Sequence, residues 1–441
     1  MRISCFLAFL PVVASVFVPP NQHSDHEHLD RRALPKRWFQ DEEHSARSLF
    51  KRATDDGVDY PTVGSAEWRA RYPRDRNFDV DALPQEWVDA LAEAVEAGRI
   101  PDIPRTTMPT ADGNPVYPPQ FNPVSINVCS TTYKCVHPED IWDAPAGVFS
   151  SSFDDGPYPT SGRLIEFLAA HNVRTTHFMI GVHILAHPDE FMDAFEGDND
   201  LAVHTWSHLR MTTLDNLNVL GQLGWTMQVI HDSTGGRVPR YWRPPYGDSD
   251  NRVRAIAKEV FGMDTVIWNQ DPQDWRLAAG QTTAQAIHAQ IEGWLQGPKT
   301  TGLMVLQHEI TDGTVDIFMS IFPLIAQNGW EFESVASCVN DGRSYQNAEG
   351  SQSDDVVLAD ILALPDDDSD PSTTDSEGDP SETAGPNPTN TKLAPTLSAT
   401  HAPLAPTPDS NPQSTGSRNV PSLAVQAWTV SLGLGAAVLL L

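Results

Sequence analysis

Ser-Phe-Asp-Asp-Gly-Pro, residues 152–157, follows a short apolar run, Gly147-Val148-Phe149. Neighbouring residues on a strand point to opposite faces, so two acids at a strand end can take different partners. One carboxylate can bind a cation, while the other, close to that cation, handles protons. A solvated Asp-Asp-Gly-Pro turn is the alternative for this stretch alone, and the residues downstream decide between the two interpretations.

Short β-rich runs alternate with helical stretches from about residue 145 to 338. The β-rich runs are Gly147–Phe153, Arg174–Ile180, Leu201–His204, Tyr241–Arg243, Thr265–Asn269, Leu303–Gln307 and Trp330–Val335. The amphipathic stretches include Leu164–Ala170, Leu214–Ile230, Val253–Val260, Ala284–Leu295 and Ile317–Ala326. This alternation predicts βαβ units and a parallel sheet, either open or closed into a barrel. Polar clusters follow the β runs, where such folds place their active sites.

A second cluster, His-Thr-Trp-Ser-His at residues 204–208, holds two histidines four positions apart. On a helical turn this spacing places both imidazoles on one face, where they can bind one zinc ion. The residue after His204 is not Glu, so the cluster differs from the zincin motif and brings no base of its own. Asp155 would complete a set of two His and one Asp with open coordination positions, which is typical of catalytic sites. Two surface histidines without a metal are the alternative.

The third motif is Arg-Pro-Pro-Tyr-Gly-Asp, residues 243–248. Its prolines stiffen the backbone after a β run, so Arg243 and the backbone N–H of Tyr246 would be held in place. A guanidinium beside Asp154 would keep that acid ionised. A structural turn with a surface arginine fits the same residues.

The last two motifs are Asp-Pro-Gln-Asp-Trp, residues 271–275, and Leu-Gln-His, residues 306–308. A carboxylate bonded to an imidazole raises the imidazole pKa and fixes its tautomer, which favours His308 as a general acid near neutral pH. Trp275 would offer a ring face to a sugar, or it would lie in the core.

In this order, the five motifs resemble those of the polysaccharide deacetylases, carbohydrate esterase family four. The match covers about residues 145–338, and no motif position departs from the family pattern. Residues 351–422 are rich in acids, Ser, Thr and Pro, and residues 423–441 are apolar and end the chain. With these two segments, the chain is most similar within that family to fungal GPI-anchored chitin deacetylases.

The resemblance implies a fold, a cofactor and a role for each motif residue. The implied fold is α/β, a distorted (β/α) barrel with an N-terminal extension and a disordered C-terminal stalk. One divalent ion, zinc or cobalt, would be bound by Asp155, His204 and His208. The other implied roles are Asp154 as the base with Arg243 as its partner, His308 as the acid with Asp274 as its partner, and Tyr246, Trp275, Leu306 and Asp154 around the acetyl group.

The implied activity is metal-dependent hydrolysis of the N-acetyl groups of chitin, giving chitosan and acetate. An O-acetyl xylan esterase and a deacetylase of another N-acetylated glycan would use the same motif residues. A catalytically silent chitin-binding wall protein is the alternative from another class. A silent relative would usually have lost Asp154, a metal ligand or His308, and all of these are present.

Charge and length set further limits. The chain has 441 residues and a formal net charge of −30. An acidic surface of this size argues against a nucleic-acid partner, whose phosphates would repel it. It fits a secreted protein that acts on neutral or cationic material, and we expect a monomer.

Both ends of the chain carry targeting signals. Residues 1–18 are predicted to be a signal peptide, because Arg2 precedes a short apolar run from about Cys5 to Val18. Dibasic pairs in residues 19–52 predict a pro-segment, with ordinary surface charge as the alternative. Residues 423–441 are apolar and end the chain, which predicts a GPI signal, with a transmembrane anchor as the alternative. The candidate attachment residues are Ser414, Gly416 and Ser417. We therefore expect the protein at the plasma membrane and cell wall, and also released outside the cell.

Two further segments flank the predicted catalytic segment. Residues 53–144 are predicted to be an N-terminal extension packed on the core, with one helix over Leu83–Ile100. Residues 351–422 are rich in acids, Ser, Thr and Pro, which predicts an extended, O-glycosylated stalk.

Three cysteines remain once Cys5 leaves with the signal peptide. In an oxidising compartment one pair is expected to form a disulfide. A Cys129–Cys338 bridge would tie the ends of the catalytic segment, and a Cys129–Cys135 bridge is the competitor.

Overall fold

The computed structural model describes residues 55–363, except residues 112, 340 and 354. Seven strands occur in this part of the chain, and they pair with one another in parallel. They are β1 (Val148–Asp154), β2 (Thr176–Met179), β3 (Asp200–Val203), β4 (Tyr241–Trp242), β5 (Asp264–Thr265), β6 (Leu303–Met304) and β7 (Glu331–Ser334). Each predicted β run overlaps one of these strands.

The strands follow the order β5-β4-β3-β2-β1-β6, and β7 pairs with the N-terminal half of β1. An isolated parallel bridge joins Gln270 to Val305, in the segments that follow β5 and β6. This bridge connects the two ends of the strand order, so the sheet curls into an irregular barrel. The distorted (β/α) barrel is therefore confirmed. Because all strands run the same way, their carboxyl ends form one rim.

Ten α-helices occur in the described residues. They are α1 (Ala66–Ala70), α2 (Gln85–Glu96), α3 (Ser161–Ala170), α4 (Gly181–Ala186), α5 (Pro188–Glu196), α6 (Asn216–Ser233), α7 (Asn251–Phe261), α8 (Ala284–Leu295), α9 (Asp312–Gln327) and α10 (Val335–Cys338). The predicted N-terminal helix is α2, shortened at both ends. It begins after Pro84 and ends before Gly98, whose φ of +71° is left-handed.

The largest apolar core joins the N-terminal extension to the barrel helices. Trp87 of α2 contacts Trp225 of α6 edge-on, with ring centroids 5.0 Å apart. Gly224 permits this approach, because a Cβ there would come within 2.5 Å of the Trp87 ring. Trp68 is fully buried, and its indole N–H donates a hydrogen bond to Ser233. The extension thus contributes large aromatic side chains to the main core.

The stalk was predicted to begin at residue 351, but the chain stays packed on the folded core up to residue 363. Residues 355–363 pack on the main core, where Ile361 is only 2% exposed and Leu362 contacts the same cluster. The carbonyl of Ala359 also lies 3.0 Å from Nε2 of His231. The composition of the segment did not predict this packing, because its few apolar residues are interleaved with aspartates.

Several predictions fall outside the described residues. They concern the signal peptide, the pro-segment, the stalk beyond residue 363, the GPI signal and Ser414, Gly416 and Ser417. Within the described residues, no helix is long and apolar enough to cross a membrane.

The disulfide joins Cys129 to Cys135, with their Cα atoms 5.1 Å apart. A short 3₁₀ turn, Thr131–Tyr133, brings the two cysteines together. Cys338 is a free, partly buried thiol beside the hydroxyl of Ser150. Of the two bridges that the sequence left open, Cys129–Cys135 is therefore confirmed and Cys129–Cys338 is wrong.

Candidate active site

The polar motifs meet at the rim formed by the carboxyl ends of the strands. Asp154 ends β1, and His204 directly follows β3. Arg243 follows β4 in the same way, and His308 bridges to Asp154 after β6. Parallel strands bring these side chains together although they are up to 154 positions apart in the sequence.

Asp155, His204 and His208 form the ligand cluster. One potential ligand atom from each lies within 4.8 Å of the others. Oδ1 of Asp155 is 3.4 Å from Nε2 of His204 and 3.2 Å from Nε2 of His208. Two imidazole nitrogens and one carboxylate oxygen are a common donor set for divalent transition metals and zinc. The structure thus brings together the three residues proposed as ligands.

The two histidines do not lie on a helical turn, which corrects the prediction from their spacing. Thr205 and His208 have left-handed φ angles of 68° and 60°. The indole of Trp206 is fully buried, and the N–H of His208 donates to the Thr205 hydroxyl at 3.1 Å. The irregular turn brings the rings of His204 and His208 to a centroid distance of 5.0 Å.

The protonation states of the cluster favour a cation. Nδ1 of His204 donates to the carbonyl of Arg243 over 2.8 Å, which leaves Nε2 as the ligand nitrogen. Burial lowers the pKa of His208 to about 3, against the opposing charge of Asp155. Burial would raise the pKa of Asp155, but its hydrogen bond with His204 and the nearby histidines hold that pKa well below its usual value. A neutral imidazole and an ionised carboxylate are the metal-binding forms of these side chains, so His208 and Asp155 fit a divalent cation.

Asp154 is paired with a buried cation of the chain. Its Oδ1 accepts a hydrogen bond of 2.6 Å from Nη1 of Arg243. The guanidinium is fully buried, contacts the ring face of Phe178 and also donates to Ser152. Oδ2 of Asp154 lies 3.8 Å from Nε2 of His204. One carboxylate oxygen is therefore fixed by arginine, while the other is turned toward the ligand cluster.

Asp274 and His308 form a second buried pair. Nδ1 of His308 lies 2.6 Å from Oδ1 of Asp274, and the His308 backbone N–H donates to Oδ2 at 2.8 Å. Burial lowers the pKa of His308, but the Asp274 charge and hydrogen bond outweigh it and raise that pKa to about 10. The imidazolium therefore holds a proton at neutral pH.

Besides Asp154, the three residues predicted around the acetyl group differ in exposure. Tyr246 has a left-handed φ of 59°, and its half-exposed ring packs 4.6 Å from the His208 ring. The guanidinium of Arg210 lies over this ring, 4.3 Å from its centroid. Trp275 is 43% exposed, which excludes a core position. Leu306 is buried directly before the Gln307-His308 pair.

Three contacts, one to the ligand cluster and two to the turn between its histidines, could not be foreseen. Nη2 of Arg76 donates to the carbonyl of Ser207 at 3.1 Å, and the carbonyl of Asp75 accepts from the Trp206 indole at 3.0 Å. Nδ1 of His183 lies 2.7 Å from the Asp155 carbonyl. No local sequence pattern links residues 75–76 to a motif 131 positions away.

A fully buried pair behind the site was also missed. Nδ1 of His177 lies 2.8 Å from Oε1 of Glu309, the residue after His308. A Cβ on Gly156 would come within 2.1 Å of this carboxylate oxygen, which accounts for glycine after the two aspartates. The only sequence signal for this pair was an acidic residue, Glu309, directly after the Leu-Gln-His motif.

Fold and site together define an α/β-barrel hydrolase with a two-histidine, one-aspartate cluster flanked by two charged pairs. The polysaccharide deacetylase family model matches residues 143–266. Chitin deacetylase 3 of Cryptococcus neoformans is 39% identical over 331 residues, covering 74% of this chain and 77% of that protein. Chitin deacetylase 1 of Saccharomyces cerevisiae is 35% identical over 228 residues, covering 51% and 71% respectively.

Among solved structures, the chitin deacetylase of Colletotrichum lindemuthianum is 21% identical with a TM-score of 0.43. The alignment covers 47% of this chain and 95% of that one. Given the similarity to the Cryptococcus protein over most of both chains, the chain belongs to the polysaccharide deacetylase family, carbohydrate esterase family four, and is an enzyme of that family.

Proposed function

We propose that this enzyme hydrolyses the N-acetyl groups of chitin, an N-acetylglucosamine polymer, to give chitosan and acetate. The relatives that carry the name chitin deacetylase support this substrate. The observation that carries the chemistry is that the ligand cluster, the Asp154–Arg243 pair and the Asp274–His308 pair meet at one rim of the barrel. The Asp154 carboxylate can then accept a proton, and the His308 imidazolium can donate one.

The cofactor of this proposal is one zinc or cobalt ion held by Asp155, His204 and His208. When bound, such an ion polarises the acetyl carbonyl and makes a water molecule more acidic. The carbonyl of Arg243 would keep the His204 ring oriented.

Asp154 acts as the general base. Its Oδ2 is the oxygen turned toward the ligand cluster, so it can accept the proton of the attacking water. Arg243 holds the opposite oxygen and keeps the carboxylate oriented during this transfer.

His308 acts as the general acid and protonates the leaving glucosamine nitrogen, because its raised pKa keeps it charged at neutral pH. Asp274 fixes the tautomer through Nδ1, so the proton is delivered from Nε2. The Tyr246 N–H stabilises the oxyanion, a contribution of roughly 3–4 kcal/mol for such donors. Trp275 and Leu306 contact the acetyl methyl and the sugar.

The proposed setting is the cell surface. The signal peptide, pro-segment, stalk and GPI signal predicted from the sequence would carry the enzyme through the secretory pathway to the plasma membrane and cell wall. Chitin is a wall polymer, so this location would place the enzyme beside its substrate.

Acetate release from chitin oligomers tests the function. The purified protein is assayed as prepared, with a chelator, and after zinc or cobalt is added back. Release that the chelator stops and metal restores is the expected result. Activity on acetylated xylan without activity on chitin would change the substrate and keep the mechanism. No release from any acetylated glycan, with metal bound, would favour a glycan-binding protein.

A further inference from the structure

The loop closed by the Cys129–Cys135 bridge, here called the disulfide loop (residues 129–135), has no part in the mechanism above. It belongs to the N-terminal extension and precedes the residues that the family model matches. Thr131, two residues after Cys129, is only 3% exposed. A polar side chain buried in a surface loop needs hydrogen-bond partners, and these partners show what the loop holds.

Thr131 is bonded to the backbone that directly follows Tyr246. Its hydroxyl donates to the carbonyl of Gly247 and accepts from the N–H of Ser249 at 3.0 Å. Its own N–H donates to the carbonyl of Ser249 at 3.0 Å. The hydroxyl of Thr132 donates to the Asp248 carboxylate at 2.8 Å. The disulfide loop therefore forms hydrogen bonds with all three residues that follow Tyr246, namely Gly247, Asp248 and Ser249.

Tyr246 is the residue of this segment that most needs external support. Its backbone is left-handed, with φ 59° and ψ 10°, a conformation that non-glycine residues rarely adopt. The residue is 54% exposed. Within the described part of the chain its N–H makes no hydrogen bond.

We propose that the disulfide loop positions the Tyr246 N–H for the oxyanion, with Thr131 as the main positioning residue. This inference rests on the proposed function, which assigns the oxyanion to that N–H. Oxyanion donors act because they are fixed before the reaction, and small displacements of a reacting group reduce turnover strongly. The bridge keeps the 131–133 turn closed, so that the Thr131 hydroxyl and N–H face the segment at a fixed spacing.

A second attachment holds the same segment independently. The N–H of Thr212 donates to Asp248 at 2.9 Å, and the Thr212 hydroxyl lies 3.0 Å from the same carboxylate. Loss of the Thr131 hydroxyl should therefore loosen the Tyr246 peptide, while the contacts of Thr212 still hold the segment that follows Tyr246. The expected defect lies in turnover, because none of these contacts involves the ligand cluster.

Three variants separate positioning from general stability. Thr131→Val keeps the shape and removes the hydroxyl, whereas Thr131→Ser keeps it. Tyr133→Phe is the matched control, because its hydroxyl lies on the same loop but donates to the carbonyl of Pro115 at 3.0 Å. We expect Thr131→Val to lower kcat on chitin oligomers by about 10- to 100-fold, with unchanged KM and zinc affinity. Thr131→Ser and Tyr133→Phe should retain the wild-type kcat.

Wild-type kcat in Thr131→Val would overturn the proposal, as would an equal loss in Tyr133→Phe or a parallel loss of zinc affinity. Hydrogen–deuterium exchange of residues 244–249 provides a readout without turnover. Exchange should rise in Thr131→Val and in a Cys129→Ala/Cys135→Ala double variant, and stay at the wild-type rate in Tyr133→Phe. A wild-type protein that releases no acetate would refute the proposed function, and unchanged exchange would refute the positioning role separately.

Discussion

Two regions of the site hold carboxylates in different ways. In the paired region, Asp154 and Asp274 each lie 2.6 Å from a cationic partner, Arg243 and His308. In the ligand cluster, Asp155 faces two imidazole nitrogens at 3.2 and 3.4 Å. The paired region is electrostatically complete within the chain, whereas the ligand cluster presents lone pairs and a negative charge suited to an added cation.

This difference predicts where the loss of each residue is felt. A change in the paired region alters proton transfer at saturating metal, because the ligand atoms stay in place. A change in the ligand cluster or its supports alters metal affinity first. Four substitutions test this division, and their expected effects decrease in the order given.

Asp154→Asn should have the largest effect on turnover. The amide cannot accept the proton of water, and loss of a general base costs roughly 10²–10⁴-fold. Metal binding should persist, because Asp155, His204 and His208 are unchanged. The measurements are kcat for acetate release and metal content by elemental analysis.

Folding needs a control in this variant, because breaking a buried ion pair costs about 3–5 kcal/mol. Arg243 keeps its hydrogen bond to Ser152, so we expect a lower melting temperature but a folded protein. Near-normal activity of folded Asp154→Asn would refute its role as the base.

His204→Ala should act on metal binding instead. Removal of a ligand should exceed the roughly 10–100-fold loss of affinity that follows from removing a supporting residue. Titration with zinc measures this loss directly, and activity should fall in proportion to metal occupancy. His171→Ala, which removes an exposed histidine at the end of α3, is the control. Wild-type zinc affinity in His204→Ala would remove His204 from the ligand cluster.

The barrel could be predicted from the sequence because its strands are short, buried and rich in β-forming residues. The Gly147–Phe153 run, for instance, became β1 with every residue of the strand buried. The motif residues could be placed together because parallel strands end at one rim. Helices α4 and α5 were not predicted, since His187 and Pro188 divide the stretch into two short pieces.

The remaining features depend on contacts between distant residues. The left-handed Thr205 and His208 replace the helical turn that four-residue spacing suggests. Likewise, Thr131 and Arg76 contact motifs more than a hundred positions away. Local composition carries no record of such pairings, so the N-terminal extension could be predicted to pack on the core but not to support the site.

Asp274→Asn should change both turnover and its pH dependence. The general acid must be protonated, so the rate falls as pH rises through the His308 pKa. Without the Asp274 charge, burial dominates and lowers that pKa from its value of about 10. The basic limb of the pH–rate profile should therefore move to lower pH, and kcat at neutral pH should fall by about 10²-fold. A reduced rate with an unshifted basic limb would contradict His308 as the acid.

Arg76→Ala should have the smallest effect and tests the support of the ligand cluster. Its guanidinium holds the Ser207 carbonyl, directly before His208. Loss of this bond should weaken zinc affinity by about tenfold, the lower end for an outer-shell partner, and leave kcat at saturating zinc unchanged. Arg74→Ala removes the same charge from a residue that makes no hydrogen bond or ion pair within residues 55–363 as described. Equal zinc affinities in Arg76→Ala and Arg74→Ala would show that Arg76 does not support the ligand cluster. A lower kcat in Arg76→Ala with unchanged zinc affinity would contradict the division between the paired region and the ligand cluster.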